Sequence, residues 1–325
     1  MRNTNNEDSI NFYNQIKFIL LIFLLVNFLE IYDLKDKKIF DSSRVCLCTL
    51  GKEENKYIRE FVEHYKNYGV DKIYLYDNND INGEHFEEVI NDFLLDGFVE
   101  IFNWRGKSKV IYKIMNECYY KNNKYYDWLV FYELDEFIHL YSYNNIKSFL
   151  NENKFDKCQI IYLNLIVHTD NDRLFYQNES LFERFPNIYP KGKSKSLQVK
   201  MIIKGKIKDI KIINTAHSIL NDNYGHLNIC NGFGQPAKLK GMGTNETDYK
   251  YNYIDHFYCK STEEFVRKLA KGDAFLTDKK ALEIYKIKRI NRYFCYNKIT
   301  KKKIEMIEKS LKLNLSKYKK NNERS

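Results

Sequence analysis

The sequence predicts an α/β fold in which helices flank a mostly parallel sheet, with an apolar helix at the N-terminus and a basic helix at the C-terminus. Three observations lead to this prediction. From Arg44 onward, short apolar runs alternate with amphipathic segments, glycines end two of these segments, and further strand-like runs follow in the second half. Strands that alternate with helices of this length are typical of a parallel sheet covered on both faces.

The first half contains four predicted strands separated by three predicted helices. The first helix carries aromatic and aliphatic residues at helical spacing and ends at Gly69, and the second ends at Gly97. The strands are RVCLCTL, DKIYLYD, FVEIFNW and WLVFYEL, and the helices are ENKYIREFVEHYKNYG, HFEEVINDFLLDG and KVIYKIMNECYYKN.

The second half is less regular. Strands are predicted over 158–168, 198–204 and 210–218, and a helix follows in STEEFVRKLAKG, with Ser261 or Thr262 as its N-cap. The tail from Lys301 forms a basic amphipathic helix that frays into a polar end.

We therefore expect three parts: an N-terminal segment over 1–40, a domain of catalytic size over 41–275 and a basic helical tail over 276–325.

The N-terminal segment contains the apolar run KFILLIFLLVNFL. Its apolar part, Phe18–Leu29, is shorter than the roughly 20 residues that span a bilayer comfortably. No small-residue cleavage site follows, so we expect an uncleaved, single-pass membrane anchor, in the secretory pathway and Golgi-like if the source is eukaryotic. A signal-peptide core and a buried core helix are the alternatives.

The net charge of +10 does not indicate nucleic-acid binding. The excess lysines and arginines are concentrated in 191–211 and in the tail from Lys286, and none of the usual nucleic-acid motifs is present. We expect no nucleic-acid partner, although an anionic membrane or a phosphorylated substrate would suit such a surface.

The seven cysteines show no C-x-x-C spacing. A structural zinc site and a dense disulfide framework are therefore not expected, and the odd number leaves at least one thiol unpaired. Cys46 and Cys48 lie two apart in a predicted strand and are expected to be buried hydrophobic residues.

Acidic residues follow two of the predicted strands. Asp77 ends the second strand, while Glu133 and Asp135 end the fourth, with Glu136 and Phe137 expected to orient them and fill the core. Residues two apart in a strand point to one side, so both carboxylates would face one cleft, at the strand ends where open α/β sheets bind ligands.

Two adjacent carboxylates repel unless a cation lies between them, and a hard divalent cation is the natural partner. Such an ion can neutralise the diphosphate that leaves from a nucleotide sugar. The alternative is that these acids merely cap solvated strand ends and that Asp77 caps a turn.

Several segments in one order resemble glycosyltransferase family 92 and its bacterial relatives. They are CLCTLGKEENKYIREFVEHYKNYGVDKIYLYDNND, WLVFYELDEFI, SLFERF, KSLQVKMII and IDHFYCKSTEEFVRKLAKG, and they extend from about Val45 to Gly272. The resemblance implies a GT-A (Rossmann-like) fold, a nucleotide-sugar donor such as a UDP-sugar, a glycan or glycoconjugate acceptor and a divalent metal, typically Mn²⁺. Characterised members include inverting galactosyltransferases.

The resemblance also assigns metal ligands. Asp135 would be the main ligand, Glu133 takes the place of the first Asp of the family triplet, and His256 is a candidate third ligand. On the sequence alone, a hydrogen-bonded core histidine is the favoured interpretation of His256, and His168 and His217 are rivals for any histidine role.

For the donor, the resemblance places Asp77 beside the uracil or ribose and Glu54 near the nucleoside. Lys260 and Ser261 would reach the diphosphate. Trp104 and Arg105 would line the cleft or pack beside it.

An inverting transfer also needs a base to take the proton of the acceptor hydroxyl. We choose Asp170, because it follows a strand that would end beside the metal strand. Asp172, Glu246, Asp248 and Asp255 remain alternatives.

Two departures from the family pattern leave a second function open. Glu133 is one methylene longer than the family's Asp, and GKEEN replaces the Lys-Asn-Glu turn. A catalytically degenerate transferase that acts as a membrane-attached binding or scaffold protein is the alternative. A nucleotidyltransferase would share the sheet and the acids, but no glycine-rich phosphate loop follows the first strand.

Overall fold

The structure is a computed structural model. It describes residues 18, 21–25, 43–189, 198–207, 213–215, 217–219, 227–240, 243–244, 252–271 and 279–315.

Thirteen strands occur in these described residues. In chain order they are β1 Val45–Gly51, β2 Lys72–Asp77, β3 Val99–Asn103, β4 Trp128–Phe131, β5 Glu136–Leu140, β6 Ile160–Val167, β7 Val199–Lys204, β8 Ile213–Thr215, β9 Ser218–Ile219, β10 Ile229–Asn231, β11 Leu239–Lys240, β12 Gly243–Thr244 and β13 Asn252–His256.

From residue 43 onward, the described residues contain eight α-helices. In chain order they are α1 Asn55–Asn67, α2 Glu87–Leu95, α3 Ile111–Asn122, α4 Ile146–Leu150, α5 Leu181–Arg184, α6 Thr262–Ala270, α7 Lys279–Tyr296 and α8 Lys301–Leu311, again counted over the described ranges.

Nine of the described strands form one large sheet in the order β3-β2-β1-β4-β7-β6-β13-β5, to which β10 adds by pairing with β6, while β8 with β9 and β11 with β12 form two small sheets. Strands β1 to β4 are mutually parallel, whereas β7 is antiparallel to both β4 and β6, and β5 is antiparallel to β13. The predicted mixed α/β fold with a mostly parallel sheet is confirmed.

Alternation along β1 divides the core between the two faces of the sheet. Val45 and Leu47 pack with α1 and α2, while Cys46 and Cys48 pack with α3 on the other face. Because successive side chains of a strand point to opposite faces, one short apolar strand supplies both cores. The prediction of a two-sided sheet, made from the alternation of strands with helices, is confirmed.

One predicted strand is too long. The predicted strand WLVFYEL continues into Asp135, so that Glu133 and Asp135 would lie on one side, but β4 ends at Phe131 and β5 begins at Glu136. A turn over 132–135, here called the acidic turn, links the two strands. The alternation argument for these two carboxylates was therefore wrong, because they lie in a turn.

The described part of the predicted basic tail packs as two helices. The apolar stripe of α8 is buried through Ile304 and Ile307, and it packs in one cluster with Phe265 and Leu269 of α6 and Tyr293 of α7. The basic residues of α8 mostly face solvent, but Lys303 is buried. The polar end that was predicted to fray, from residue 316, lies outside the described residues.

Most of the predicted membrane anchor also lies outside the described residues. Phe18 and residues 21–25 are helical. Among the residues that the structure describes, no helix combines the length and the apolar character needed to cross a bilayer.

Two disulfides join distant parts of the domain. Cys48 of β1 is bonded to Cys118 of α3, and Cys158 before β6 is bonded to Cys230 of β10. Cys48 is buried as expected, but it is a disulfide partner rather than a simple hydrophobic residue, whereas Cys46 is a buried free thiol. The spacing of side chains along β1 indicates that Cys48 is buried, but it does not indicate which residue of α3 lies next to it.

We predict that replacing Cys48 and Cys118 together by Ala lowers the free energy of unfolding by about 4 kcal/mol, since the bond closes a long loop in the unfolded chain. Denaturant titration under non-reducing conditions measures this loss. The exposed free thiol Cys295 supplies the control, because Cys295→Ala changes no bond. Equal stability of the double variant and the control would contradict the prediction.

Candidate active site

An acidic cluster forms where the acidic turn, β5 and β13 meet. Glu133, Asp135, Glu136 and His256 each offer one ligand atom, and these four atoms lie within 4.8 Å of one another. Pairing of β13 with β5 sets His256 opposite Glu136, and His256 Nε2 lies 3.7 Å from an Asp135 oxygen. The structure thus brings together the three predicted metal ligands and adds Glu136.

Backbone contacts fix the shape of the acidic turn. The amide of Glu136 donates to the carbonyl of Glu133, and the amide of Glu133 donates to the Glu136 carboxylate at 3.0 Å. Glu136 therefore orients the turn, as predicted. Gly51, at the end of β1, allows close packing, because a Cβ atom there would lie 2.6 Å from Leu134.

A buried lysine compensates the charge of the cluster. Lys200 of β7 is fully buried, with Nζ 3.1 Å from Glu136 and 3.5 Å from Glu133. Sequence reasoning missed this residue. A lysine in the apolar run VKMIIK was the available signal, because a charge inside a buried strand requires a partner.

A second lysine closes the cluster from the side of α6. Lys268 Nζ lies 2.5 Å from Asp135, and its side chain keeps 30% exposure. Sequence reasoning also missed Lys268, because the amphipathic pattern of α6 predicts an ordinary surface lysine at this position.

These surroundings separate the pKa values of the cluster. The charge of Lys200 lowers the pKa of Glu133 to about 2, whereas burial raises that of Glu136 to about 8 despite Lys200. Burial also acts to raise the pKa of Asp135, but Lys268 and His256 outweigh it and the pKa falls. Burial lowers the pKa of His256 to about 3, so its imidazole is neutral at pH 7.

The cluster fits a divalent cation. Carboxylate oxygens and a neutral imidazole nitrogen are suitable ligands for such ions. Glu136 Oε1 has only the Lys200 ammonium beside it, at 3.1 Å, and His256 Nδ1 is buried without a hydrogen-bond partner. Glu133, whose side chain is 43% exposed, leaves one side of the cluster open.

Asp77 ends β2 as predicted and is already partnered. Arg105 lies 2.6 Å from one of its oxygens and also donates to the carbonyls of Gly83 and Glu84. The other Asp77 oxygen accepts from the amide of Asn79, so the expected turn cap is present as well. If Asp77 contacts a nucleoside, it would do so while keeping these bonds to Arg105 and Asn79.

Glu54 and Lys260 form an ion pair beside a cleft. Lys260 Nζ lies 3.4 Å from Glu54 and 3.4 Å from the Tyr57 ring centroid, and Lys271 Nζ lies 2.8 Å from Glu54. The residues that line this cleft include Tyr57, the cations Lys56, Lys260, Arg267, Lys268 and Lys271, and the carboxylates Glu53, Glu54, Glu84 and Glu264. The cleft thus presents five cationic groups to an anionic ligand, and among them Lys260, Lys268 and Lys271 pair with carboxylates of the chain.

Ser261 is the N-cap of α6. Its hydroxyl accepts from the amide of Glu264, and its own amide donates to the Glu264 carboxylate at 3.0 Å, which forms a capping box. The hydroxyl also donates to this carboxylate at 2.5 Å. Arg184 holds the same carboxylate at 2.9 Å. The hydroxyl predicted to reach a diphosphate is thus engaged in capping.

Asp170 lies outside the acidic cluster. One of its oxygens accepts from Tyr293 and lies 2.6 Å from Lys303, and the other accepts from the amide of Asp172. Asp255 is bound to His168 at 2.7 Å. Glu246 and Asp248 lie outside the described residues, and the role of Asp170 as base stays a prediction.

We predict that Lys200→Met lowers the free energy of unfolding by about 3 kcal/mol, the low end for a broken buried ion pair, because Glu133 is partly exposed. Denaturant titration measures it. The matched control is Lys66→Met, which breaks a surface pair with Asp96 and should change stability much less, because solvent screens exposed charges. Similar losses of unfolding free energy in both variants would show that the buried Lys200 charge is not needed for stability.

Comparisons with known proteins agree with the sequence resemblance. The model of glycosyltransferase family 92 matches residues 41–315. No curated protein matches the chain. The chain is similar to the crystal structure of S. aureus TarS 1-349 in complex with UDP-GlcNAc, with 13% identity, coverage of 82% of this chain and 79% of that chain, and a TM-score of 0.37.

A second crystal structure, S. aureus TarS 1-349 in complex with UDP, shows 14% identity, coverage of 84% and 76%, and a TM-score of 0.35. The family match covers most of the chain and includes the acidic cluster, the cleft and the C-terminal helices. The chain therefore belongs to glycosyltransferase family 92 and is a glycosyltransferase.

Proposed function

We propose that the chain transfers a hexose, galactose being the first candidate, from a UDP-sugar to a glycan or glycoconjugate acceptor, with Mn²⁺ as the cofactor. The observation that carries this proposal is the acidic cluster, in which four ligand atoms lie within 4.8 Å at the edge of a cleft lined by lysines. A metal site next to an anion-binding cleft is what a nucleoside-diphosphate donor requires.

The place of the cluster in the sheet supports a GT-A assignment. The strand order reverses between β1 and β4, and the carboxyl ends of β1, β2 and β4 lie at one edge. Ligands of open α/β sheets bind at such a switch point. Asp77 at the end of β2 and Glu54 just after β1 are then on the side proposed for the nucleoside.

Glu133, Asp135, Glu136 and His256 would hold the metal ion. When bound, the ion would neutralise the charge that develops on the leaving diphosphate. Lys260 and Lys271 add positive charge along the cleft, and Tyr57 provides an aromatic wall beneath Lys260. These residues would orient the donor and hold its phosphates.

Inversion of the anomeric centre is a part of this proposal that comes from the family resemblance, whereas the choice of Asp170 as the base comes from its place after β6. In the described conformation both Asp170 oxygens are engaged by Tyr293, Lys303 and the Asp172 amide. Proton transfer at Asp170 would require release from Lys303. Asp172, which is exposed and pairs with the same lysine, is the nearby alternative.

We further propose residence in the secretory pathway, with attachment to a membrane through the N-terminal apolar run. Two disulfides support this location, because disulfides persist in oxidising compartments and are rare in the cytosol.

A catalytically degenerate scaffold is the second candidate. It is favoured by the internal ion pairs, since Asp77, Asp135 and Glu54 are each neutralised by a cation of the chain itself.

The experiment is calorimetric titration of the chain with a panel of nucleotide sugars, with and without Mn²⁺. We predict Mn²⁺-dependent binding of one UDP-sugar, and a loss of at least about 100-fold in Mn²⁺ affinity in Asp135→Ala, since even indirect partners of a metal are worth 10–100-fold. The control is Asp92→Ala, which removes a surface carboxylate.

Binding of no nucleotide sugar by the folded chain would reject the transferase mechanism in favour of the scaffold. Binding that is equally strong without metal, and unaffected by Asp135→Ala, would reject the metal site alone.

A further inference from the structure

Lys268 occupies the position of a cation at the main predicted metal ligand. Its Nζ lies 2.5 Å from one Asp135 oxygen, while the other oxygen faces His256 Nε2 at 3.7 Å. The Lys268 ammonium group therefore contacts a carboxylate that is also a member of the acidic cluster.

The position of Lys268 follows from how α6 is anchored. The capping box at Ser261 fixes the start of the helix, and Phe265 and Leu269 bury its other face in the C-terminal core. Lys268 and Lys271, three residues apart, project into the cleft, where they contact Asp135 and Glu54. A rigid helix thus carries two flexible ammonium groups toward the site.

Lys268 and Lys200 differ in their freedom to move. Lys200 is fully buried inside the sheet, whereas the Lys268 side chain is 30% exposed at the cleft. A lysine side chain has four rotatable methylene groups, so Lys268 can leave Asp135 without any backbone change. The ring of Tyr258, whose centroid lies 5.0 Å from Nζ, provides an alternative contact.

An ammonium group 2.5 Å from Asp135 competes with a divalent ion for this carboxylate, because two positive charges a few ångströms apart repel each other. We propose that Lys268 is an exchangeable cation: it neutralises Asp135 in the metal-free protein, is displaced when the metal binds, and then contacts the diphosphate of the donor. This inference rests on the proposed metal site and adds a positioning residue to it.

The proposal makes metal affinity and nucleotide affinity change in opposite directions. Removing the competing ammonium in Lys268→Met should tighten Mn²⁺ binding at least about tenfold, given the energies of close charge pairs. The same variant, saturated with Mn²⁺, should bind UDP at least about tenfold more weakly, because the diphosphate loses a cation. If Lys268 had a purely structural role, Lys268→Met would weaken both Mn²⁺ binding and UDP binding.

The test measures Mn²⁺ binding by electron paramagnetic resonance and UDP binding by calorimetry, on the full chain. Lys268→Arg keeps a cation and should retain the wild-type Mn²⁺ affinity. Lys66→Met removes a surface ammonium that pairs with Asp96, so it should also leave Mn²⁺ affinity unchanged. Thermal unfolding of each variant shows that the fold is retained.

The outcomes separate this inference from the proposed function. If the wild type binds Mn²⁺ and Lys268→Met binds it no more tightly, the exchange is overturned while the metal site stands. If neither protein binds Mn²⁺, the metal site fails and the inference fails with it. If only Lys268→Met binds Mn²⁺, the competition is supported in its strongest form. An unchanged UDP affinity would overturn the contact between Lys268 and the diphosphate.

Discussion

The ammonium group of Lys200 is the charge on which the acidic cluster depends. It lies within 3.5 Å of both Glu133 and Glu136 and is fully buried. Three carboxylates this close would repel strongly in a medium of low dielectric constant if no cation lay among them. Strand β7 carries Lys200 between β4 and β6, so the antiparallel insertion of one strand supplies the charge that permits the site.

The C-terminal helices hold the other wall of the site. Tyr293 of α7 contacts both Asp170 and Thr262, and Lys303 of α8 is buried against Asp170. These contacts anchor the start of α6, which carries Lys268 to the cluster. The segment that the sequence presents as a basic tail is thus, in its described part, part of the support for the site.

Much of the fold could be predicted because it is periodic. The apolar alternation of β1 and the helical spacing in α1 are local patterns, and both elements were predicted close to their observed bounds. Glu133, Asp135 and His256 were also correctly predicted to meet, although for Glu133 and Asp135 the reasoning assumed a strand and the structure has a turn. A turn of four residues carries no periodicity, so alternation could not distinguish it from a strand.

The sequence by itself determined the alternating elements, the acidic residue types after β2 and β4, and the family. The tertiary structure alone decided which charges meet: Lys200 with Glu133 and Glu136, Arg105 with Asp77, and Lys268 with Asp135. The last pair is separated by 133 positions in the chain. Such contacts depend on strand order and helix packing, and the local pattern around a lysine or a carboxylate contains no information about its distant partner.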